Sequence, residues 1–141
     1  MNIVVDTNIV FSAMWNTNGN IANILSRRTS LNLYAPTYLL LELSNHQDKI
    51  AKGLGINPEQ FLELQHVATR RITFIDEGQI SSNHWMKAEQ LTTNVDMDDI
   101  AFVALALELK CALWTGDKRL SKSLTGILVY QTSQLDKLLK G

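Results

Sequence analysis

Short apolar runs rich in β-branched residues alternate with longer segments of helical pattern along the whole chain. The runs predict strands and the longer segments predict helices. Because strands that alternate with helices form parallel sheets covered on both faces, we expect an α/β fold, a three-layer α/β/α sandwich around a central, mainly parallel sheet. The predicted strands are Asn2–Asp6, Leu31–Ala35, Ile72–Ile75, Cys111–Thr115 and Ile127–Tyr130.

Cap and turn residues mark where the predicted helices begin. Pro36 and Pro58 each stand where a helix can start, since proline fits the first turn, and Asn57 is a suitable N-cap. The predicted helices are Ile9–Ser26 with a loop at Asn16–Asn20, Pro36 to about Lys52, Asn57–Arg71, Ser81–Thr92, Asp98–Lys110, a short helix around Leu120, and Ser133–Lys140.

Length and composition indicate one ordinary globular domain, residues 1–141. The chain has 141 residues, 45% of them hydrophobic and 19% charged, which excludes a disordered chain. The net charge is −1, so charge alone does not predict strong non-specific binding to nucleic acid.

The sequence predicts a cytoplasmic protein with no membrane segment. Its start, Met1–Asp6, lacks the basic and apolar regions of a signal peptide. No apolar run approaches the roughly 18 residues that a membrane span needs. The single cysteine, Cys111, excludes an internal disulfide framework.

Carboxylates stand where this predicted fold places its sites. In open α/β sheets, sites form beyond the carboxyl ends of the strands. Asp6 ends the first strand, Asp117 follows the fourth, and Asp98 and Asp99 begin the helix that precedes the fourth. Each also has a purely structural interpretation as a helix cap or a turn residue.

Glu42 has two interpretations that the sequence leaves open. It lies in an apolar stretch of a predicted helix, where it could share a solvated face with Asn45, His46 and Lys49. Alternatively, it faces the crevice that the aspartates line.

A cluster of these carboxylates would imply a bound cation, because like charges raise one another's pKa unless a cation neutralises them. Oxygen ligands favour Mg²⁺ or Mn²⁺ over zinc. Mg²⁺ uses few carboxylates and keeps positions for phosphate oxygens, so such a site suits phosphoryl transfer or phosphodiester hydrolysis.

Four short motifs, in order, resemble those of PIN-domain ribonucleases, in particular the small toxin-type, VapC-like members. The resemblance extends over nearly the whole chain, and together the four motifs are quite specific. The motifs are Val5–Asn8 after the first strand, Leu41–Leu43, Asp99–Ala106 at the start of a small apolar helix, and Trp114–Asp117.

The resemblance implies cleavage of RNA that depends on Mg²⁺ or Mn²⁺. Asp96 and Asp98 are candidates for an additional ligand, and the register of the following helix favours Asp99 as the main third acid. By motif, the residues that hold metal and position water are Asp6, Glu42, Asp99 and Asp117, and those that orient these carboxylates are Asn8 and Thr115.

RNA and protein partners follow from the same resemblance. Lys118, Arg119 and Lys122 come directly after Asp117 and are candidates for phosphate contacts, and Trp15 is the candidate for base stacking. Many small PIN proteins are toxins paired with an antitoxin protein, and they often form homodimers, so the resemblance implies both partners here.

Two other functions compete with this one. A PIN-like scaffold could bind RNA or protein without cutting, but this chain keeps all four acids. A phosphoaspartyl phosphatase would normally show Asp-x-Asp after the first strand, whereas Asp6 is followed by Thr7 and Asn8. A nucleotide-binding loop is not supported, since no Gly-rich phosphate motif is present.

Overall fold

The computed structural model describes residues 1–27, 29–93, 97–124 and 126–140. Over these ranges the strands form a parallel sheet of five strands in the order β3-β2-β1-β4-β5. The strands are β1 (Asn2–Val5), β2 (Asn32–Pro36), β3 (Ile72–Ile75), β4 (Ala112–Trp114) and β5 (Val129–Tyr130). The parallel α/β architecture predicted from the alternating pattern is therefore confirmed.

Helices fill the connections between the strands. Asn57 caps its helix as predicted, and forms a capping box with Gln60. The helices are α1 (Thr7–Trp15), α2 (Asn20–Ser26), α3 (Tyr38–Asn45), α4 (Gln47–Leu54), α5 (Pro58–Thr69), α6 (Ser82–Leu91), α7 (Ile100–Leu109), α8 (Lys118–Ser123) and α9 (Thr132–Lys140), with short 3₁₀ turns at Glu77–Gln79 and Met97–Asp99.

The core lies around the two central strands and α7. Ile3, Val4 and Val5 of β1 are fully buried, and so is Trp114 at the end of β4. Strands covered on both faces need continuous apolar runs, which is the pattern that predicted them. The α7 helix, whose residues 101–106 are all buried, supplies one of the covering layers.

The prediction of one helix from Pro36 to about Lys52 is wrong in its first residue and in its continuity. Pro36 is the last residue of β2, and the helical segment is divided at His46 into α3 and α4. His46 leaves helical geometry at φ −106° and ψ 6°, and both its backbone N–H and its ring Nδ1 bond to the Glu42 carbonyl. A side chain that competes for an intrahelical carbonyl favours a helix end there.

The sheet order places a switch point between β1 and β4. The chain leaves β1 towards β2 on one side and leaves β4 towards β5 on the other. The backbone N–H of Asp6 donates to the Trp114 carbonyl at 3.0 Å, so the pairing continues to the ends of both strands. A crevice at such a point is the usual ligand site of an open α/β sheet.

No helix within the described ranges is both long and apolar enough to cross a lipid bilayer. The cytoplasmic location stays a prediction.

A carboxylate joins α7 to the first turn of α6. Glu108 Oε1 accepts the Ser81 backbone N–H at 2.6 Å and lies 3.1 Å from His84 Nδ1. The Ser81 hydrogen bond, and next the hydrogen bond with His84, lower the pKa of Glu108 from its ordinary value. The ionised form is therefore the one that the fold favours.

Replacing Glu108 with Gln should change how stability depends on pH. The wild-type contribution is present above the carboxyl's unfolded pKa and is lost as pH falls through the lowered folded pKa. Urea unfolding should therefore show Glu108→Gln less stable than wild type near neutral pH, with the difference shrinking in acid. The exposed Glu63 on α5 supplies the control, Glu63→Gln. A difference that is the same at both pH values would contradict a charge-dependent contact.

Candidate active site

Asp6 lies at the junction of β1 and α1, and only 5% of its surface is exposed. Its Oδ1 accepts the Thr7 backbone N–H at 2.8 Å, and its Oδ2 accepts the Thr115 hydroxyl at 2.6 Å. Asp6 is the N-cap of α1 and also faces the residues that follow β4. Capping α1 is therefore compatible with a carboxylate that faces the crevice.

Burial dominates the electrostatics of Asp6. Loss of hydration raises the pKa of its carboxyl, and the nearby charge of Asp117 raises it further. The hydrogen bonds from Thr115 and Thr7 oppose this shift without cancelling it. A cation in the crevice would reverse the balance, because an opposite charge favours the ionised carboxylate.

Thr115 connects three polar groups at the end of β4. Besides donating to Asp6, its hydroxyl oxygen accepts the Asp117 backbone N–H at 3.0 Å and lies 3.5 Å from Asn8 Nδ2. Asn8 Oδ1 in turn accepts the Gly116 N–H at 3.3 Å. These bonds fix the turn that leads from β4 to Asp117.

Asp117 caps α8. Its Oδ1 accepts the backbone N–H groups of Arg119, at 2.9 Å, and Leu120, at 3.3 Å. The side chain is half-buried, and its charge is close enough to raise the pKa of Asp6. The predicted convergence of the acids after β1 and β4 is therefore present in the fold.

Glu42 points into the crevice and not onto a solvated face. The Thr7 hydroxyl donates to its Oε1 at 2.6 Å, whereas Asn45, His46 and Lys49 are exposed. Burial raises the pKa of Glu42, the Thr7 hydrogen bond lowers it, and the charges of Asp6 and Asp98 raise it again. The net shift is upward.

Of the two described acids before α7, Asp98 lies beside this group. Asp98 Oδ1 accepts the Tyr38 hydroxyl at 3.1 Å, and its charge reaches Glu42. Asp99 occupies the N-cap position of α7, and its Oδ2 is buried. Asp96, the other candidate, lies outside the described residues.

Two residues that were not predicted from the sequence, Thr7 and Glu77, position the acids. Thr7 links Asp6 to Glu42, and its place inside the Asp-Thr-Asn motif could have indicated it. Glu77, just after β3, accepts the Tyr38 backbone N–H at 2.5 Å and the Thr37 hydroxyl, which holds the first turn of the helix that carries Glu42. The sequence signal that could have indicated Glu77 is its position just after the third predicted strand.

Comparison with known proteins identifies the family. A PIN-domain profile matches residues 4–140. The chain belongs to the PIN-domain family. A search of curated protein sequences found no match.

Solved structures share the PIN fold across nearly the whole chain. VapBC2 from Rickettsia felis, bound to a DNA fragment from its promoter, is 15% identical with a TM-score of 0.73, covering 93% of this chain and 98% of that one. DNA-bound VapBC from Salmonella typhimurium is 18% identical with a TM-score of 0.74, covering 94% and 98%. VapBC-1 from nontypeable Haemophilus influenzae is 21% identical with a TM-score of 0.68, covering 94% and 99%.

The donor chemistry of this PIN crevice fits Mg²⁺ or Mn²⁺. Asp6, Glu42 and Asp117 offer only oxygen ligands, and their charges oppose one another in the absence of a cation. Among the described residues, no three acidic, histidine or cysteine side chains close around a single point.

The predicted RNA-binding cations lie next to this site. Lys118, Arg119 and Lys122 are exposed on α8, the helix that Asp117 caps. Trp15, at the far end of α1, is 48% exposed.

Removing the Thr115 hydroxyl should destabilise the protein. Thr115→Val leaves the buried Asp6 Oδ2 and the Asp117 N–H without their partner, so we expect the free energy of unfolding to fall by about 1–3 kcal/mol. Thr115→Ser, which keeps the hydroxyl, should recover most of this loss. Urea denaturation measures both, and Thr73→Val on the exposed face of β3 is the matched control. Equal stability of the valine and serine variants would contradict the role given to this bond.

Proposed function

We propose that this PIN domain is a ribonuclease that uses Mg²⁺ or Mn²⁺ to hydrolyse RNA phosphodiester bonds. The observation that supports this most directly is that a buried acid and a half-buried acid are held together at the end of the sheet. Thr7 bonds to both Asp6 and Glu42. Burial raises the pKa of each carboxyl, and the charges of nearby acids raise it further. The fold gains no stability from carboxylates placed in this way, whereas a bound cation would favour their ionised form.

In this proposal, Asp6, Glu42, Asp99 and Asp117 hold the ion directly or through its water molecules, and Asp98 and Asp96 are candidates for a further ligand. Asn8 and Thr115 keep the turn after β4 in place and so orient Asp6 and Asp117. When bound, a divalent ion of this kind lowers the pKa of water and polarises the phosphoryl oxygen.

Phosphate groups of the substrate would meet the cations of α8. Lys118, Arg119 and Lys122 follow Asp117 within two helical turns, so a phosphate beside the acids lies within reach of them. Their positive charge would offset the repulsion between the RNA backbone and the acidic crevice.

We further propose that the chain is the toxin of a toxin–antitoxin pair and acts in the cytoplasm, inhibited by a separate antitoxin. The support is the family and the three structural neighbours, each of which is a VapBC protein and two of which are bound to DNA. A homodimer is part of the same proposal, as in other small PIN proteins.

Metal binding can be tested without a substrate. Mn²⁺ should raise the melting temperature of the wild type, because a ligand at about 100 times its Kd adds roughly 2.7 kcal/mol to the stability of the state that binds it. Asp6→Asn should fold without metal, since it removes a buried charge, but should lose the shift. Glu63→Gln, which removes an exposed charge on α5, should keep it. Equal shifts in all three proteins would contradict a metal site at Asp6.

Cleavage tests the reaction itself. With Mn²⁺ and a mixture of single-stranded and structured RNA, Asp6→Asn and Asp117→Asn should each lower the cleavage rate about 100-fold or more, as expected for loss of one electrostatic stabiliser. EDTA should abolish wild-type cleavage, and Glu63→Gln should cut normally. A wild type that shows the metal shift but cuts no RNA would favour the alternative, a PIN-like scaffold that binds RNA or protein without cleaving it.

A further inference from the structure

The segment formed by α3 and α4 runs alongside α1, outward from the acidic site. Three pairs of contacting residues, one after another along the helices, establish this alignment. Thr7 bonds to Glu42, the Phe11 ring lies against His46, and Trp15 lies over Gly53. The two helical stretches therefore advance together, with the acids at one end and Trp15 at the other.

Aromatic residues on α1 lie on one face of that helix. Asn8, Phe11 and Trp15 are spaced at i, i+3 and i+7, which places them in one row. Asn8 belongs to the acidic site, and at 1.5 Å per residue Trp15 is about 10 Å farther along. The row thus leads directly away from the crevice.

The middle of the row is a fixed ring pair. Phe11 and His46 meet edge to face, with centroids 5.4 Å apart and planes at 65°. His46 is exposed, and its Nδ1 lies 2.9 Å from the Glu42 carbonyl, which holds the ring in place. The ring pair therefore continues the crevice on the Glu42 side, with the edge of one ring against the face of the other.

Trp15 is seated on a helix position that has no side chain. A Cβ atom at Gly53 would lie 2.3 Å from Trp15 Cη2 and 3.1 Å from Cζ3, so only glycine admits the ring in this position. Glycine inside a helix costs about 1 kcal/mol relative to alanine. Yet Trp15 stays 48% exposed, so the seat orients the ring without burying it.

The charge beside this row suits a polyanion. Lys49 lies one helical turn before Gly53, on the same side of α4, and is exposed. Asp48 lies about 140° around the helix from Gly53. By contrast, the cavity lined by Tyr38 has three carboxylates in its wall, from Glu77, Glu89 and Asp98, and no Lys, Arg or His among its described lining residues. A phosphate beyond the reach of a bound cation would be repelled there.

We propose that single-stranded RNA leaves the acidic site along the α1–α4 track, defined as Phe11, Trp15, His46, Lys49 and Gly53. A base stacks on Trp15, a phosphate meets Lys49, and the Phe11–His46 pair contacts the strand in between. Stacking on exposed aromatic rings beside a cation is how single strands are held without sequence preference. This inference rests on the proposed ribonuclease function and adds where its substrate binds.

The test measures binding apart from cleavage. Fluorescence anisotropy of a labelled single-stranded RNA oligonucleotide, recorded in EDTA, gives the Kd of each variant. Trp15→Ala should weaken binding at least about fivefold, as expected for loss of one stacked base. Trp15→Phe should recover part of the affinity. Lys49→Gln should reduce the salt dependence of binding by about one phosphate contact.

Gly53→Ala is the sharpest variant, because it removes no side chain of the track. Alanine favours the helix but displaces the Trp15 ring, so the protein should stay folded and still lose affinity. Controls on α6 are Met86→Ala, which removes a side chain that is 60% exposed, and Lys87→Gln, which removes an exposed charge. Both should bind as the wild type does.

The outcomes separate this inference from the proposed function. Weaker binding in the track variants alone supports the track, whether or not the protein cuts. Wild-type affinity in Trp15→Ala and Gly53→Ala overturns it, and Mn²⁺-dependent cleavage can persist in that case. A Trp15→Ala protein that binds RNA normally but no longer binds an antitoxin chain also overturns it, in favour of a protein partner.

Discussion

The hydrogen bond from Thr115 to Asp6 is the interaction on which the rest of the site depends. It joins the ends of β1 and β4, the neighbouring parallel strands between which the strand order reverses. A carboxylate as buried as that of Asp6 is tolerated only when its oxygens have donors, and both have one here. The same hydroxyl receives the Asp117 N–H, so one side chain sets the positions of two acids.

This arrangement keeps acids in an environment that opposes their charge. Burial raises the pKa values of Asp6 and Glu42, and neighbouring acids raise them further. An apolar residue in place of either acid would avoid this electrostatic penalty. The presence of both acids therefore favours a function that needs their charge. Sites built for chemistry often reduce stability in this way. Thr7, which bonds to both carboxylates, limits the penalty without removing it.

Much of this could be predicted from the sequence, because local signals decide it. Continuous β-branched runs mark the buried strands, and Asp6 and Asp117 come directly after two of them. The structure supplied what local signals do not contain. The helix break at His46 depends on a ring that competes for a carbonyl. The role of Glu77 depends on β3 lying beside β2, which places its carboxylate at the first turn of α3.

Glu42 illustrates why helical periodicity alone could not decide a functional residue. Its spacing to His46 and Lys49 is that of a polar face, and those two residues are indeed exposed. What distinguishes Glu42 is its partner on the neighbouring helix. Thr7 donates a hydrogen bond to Glu42, whereas Phe11 lies against the His46 ring and Trp15 lies beside Gly53. Contacts with α1 therefore divide the face of α3 and α4 into two parts. The part near β1 carries the acid Glu42, and the far part supports the Trp15 ring. Contacts between the two helices decide which role each residue has, and the sequence pattern of a single helix does not contain those contacts.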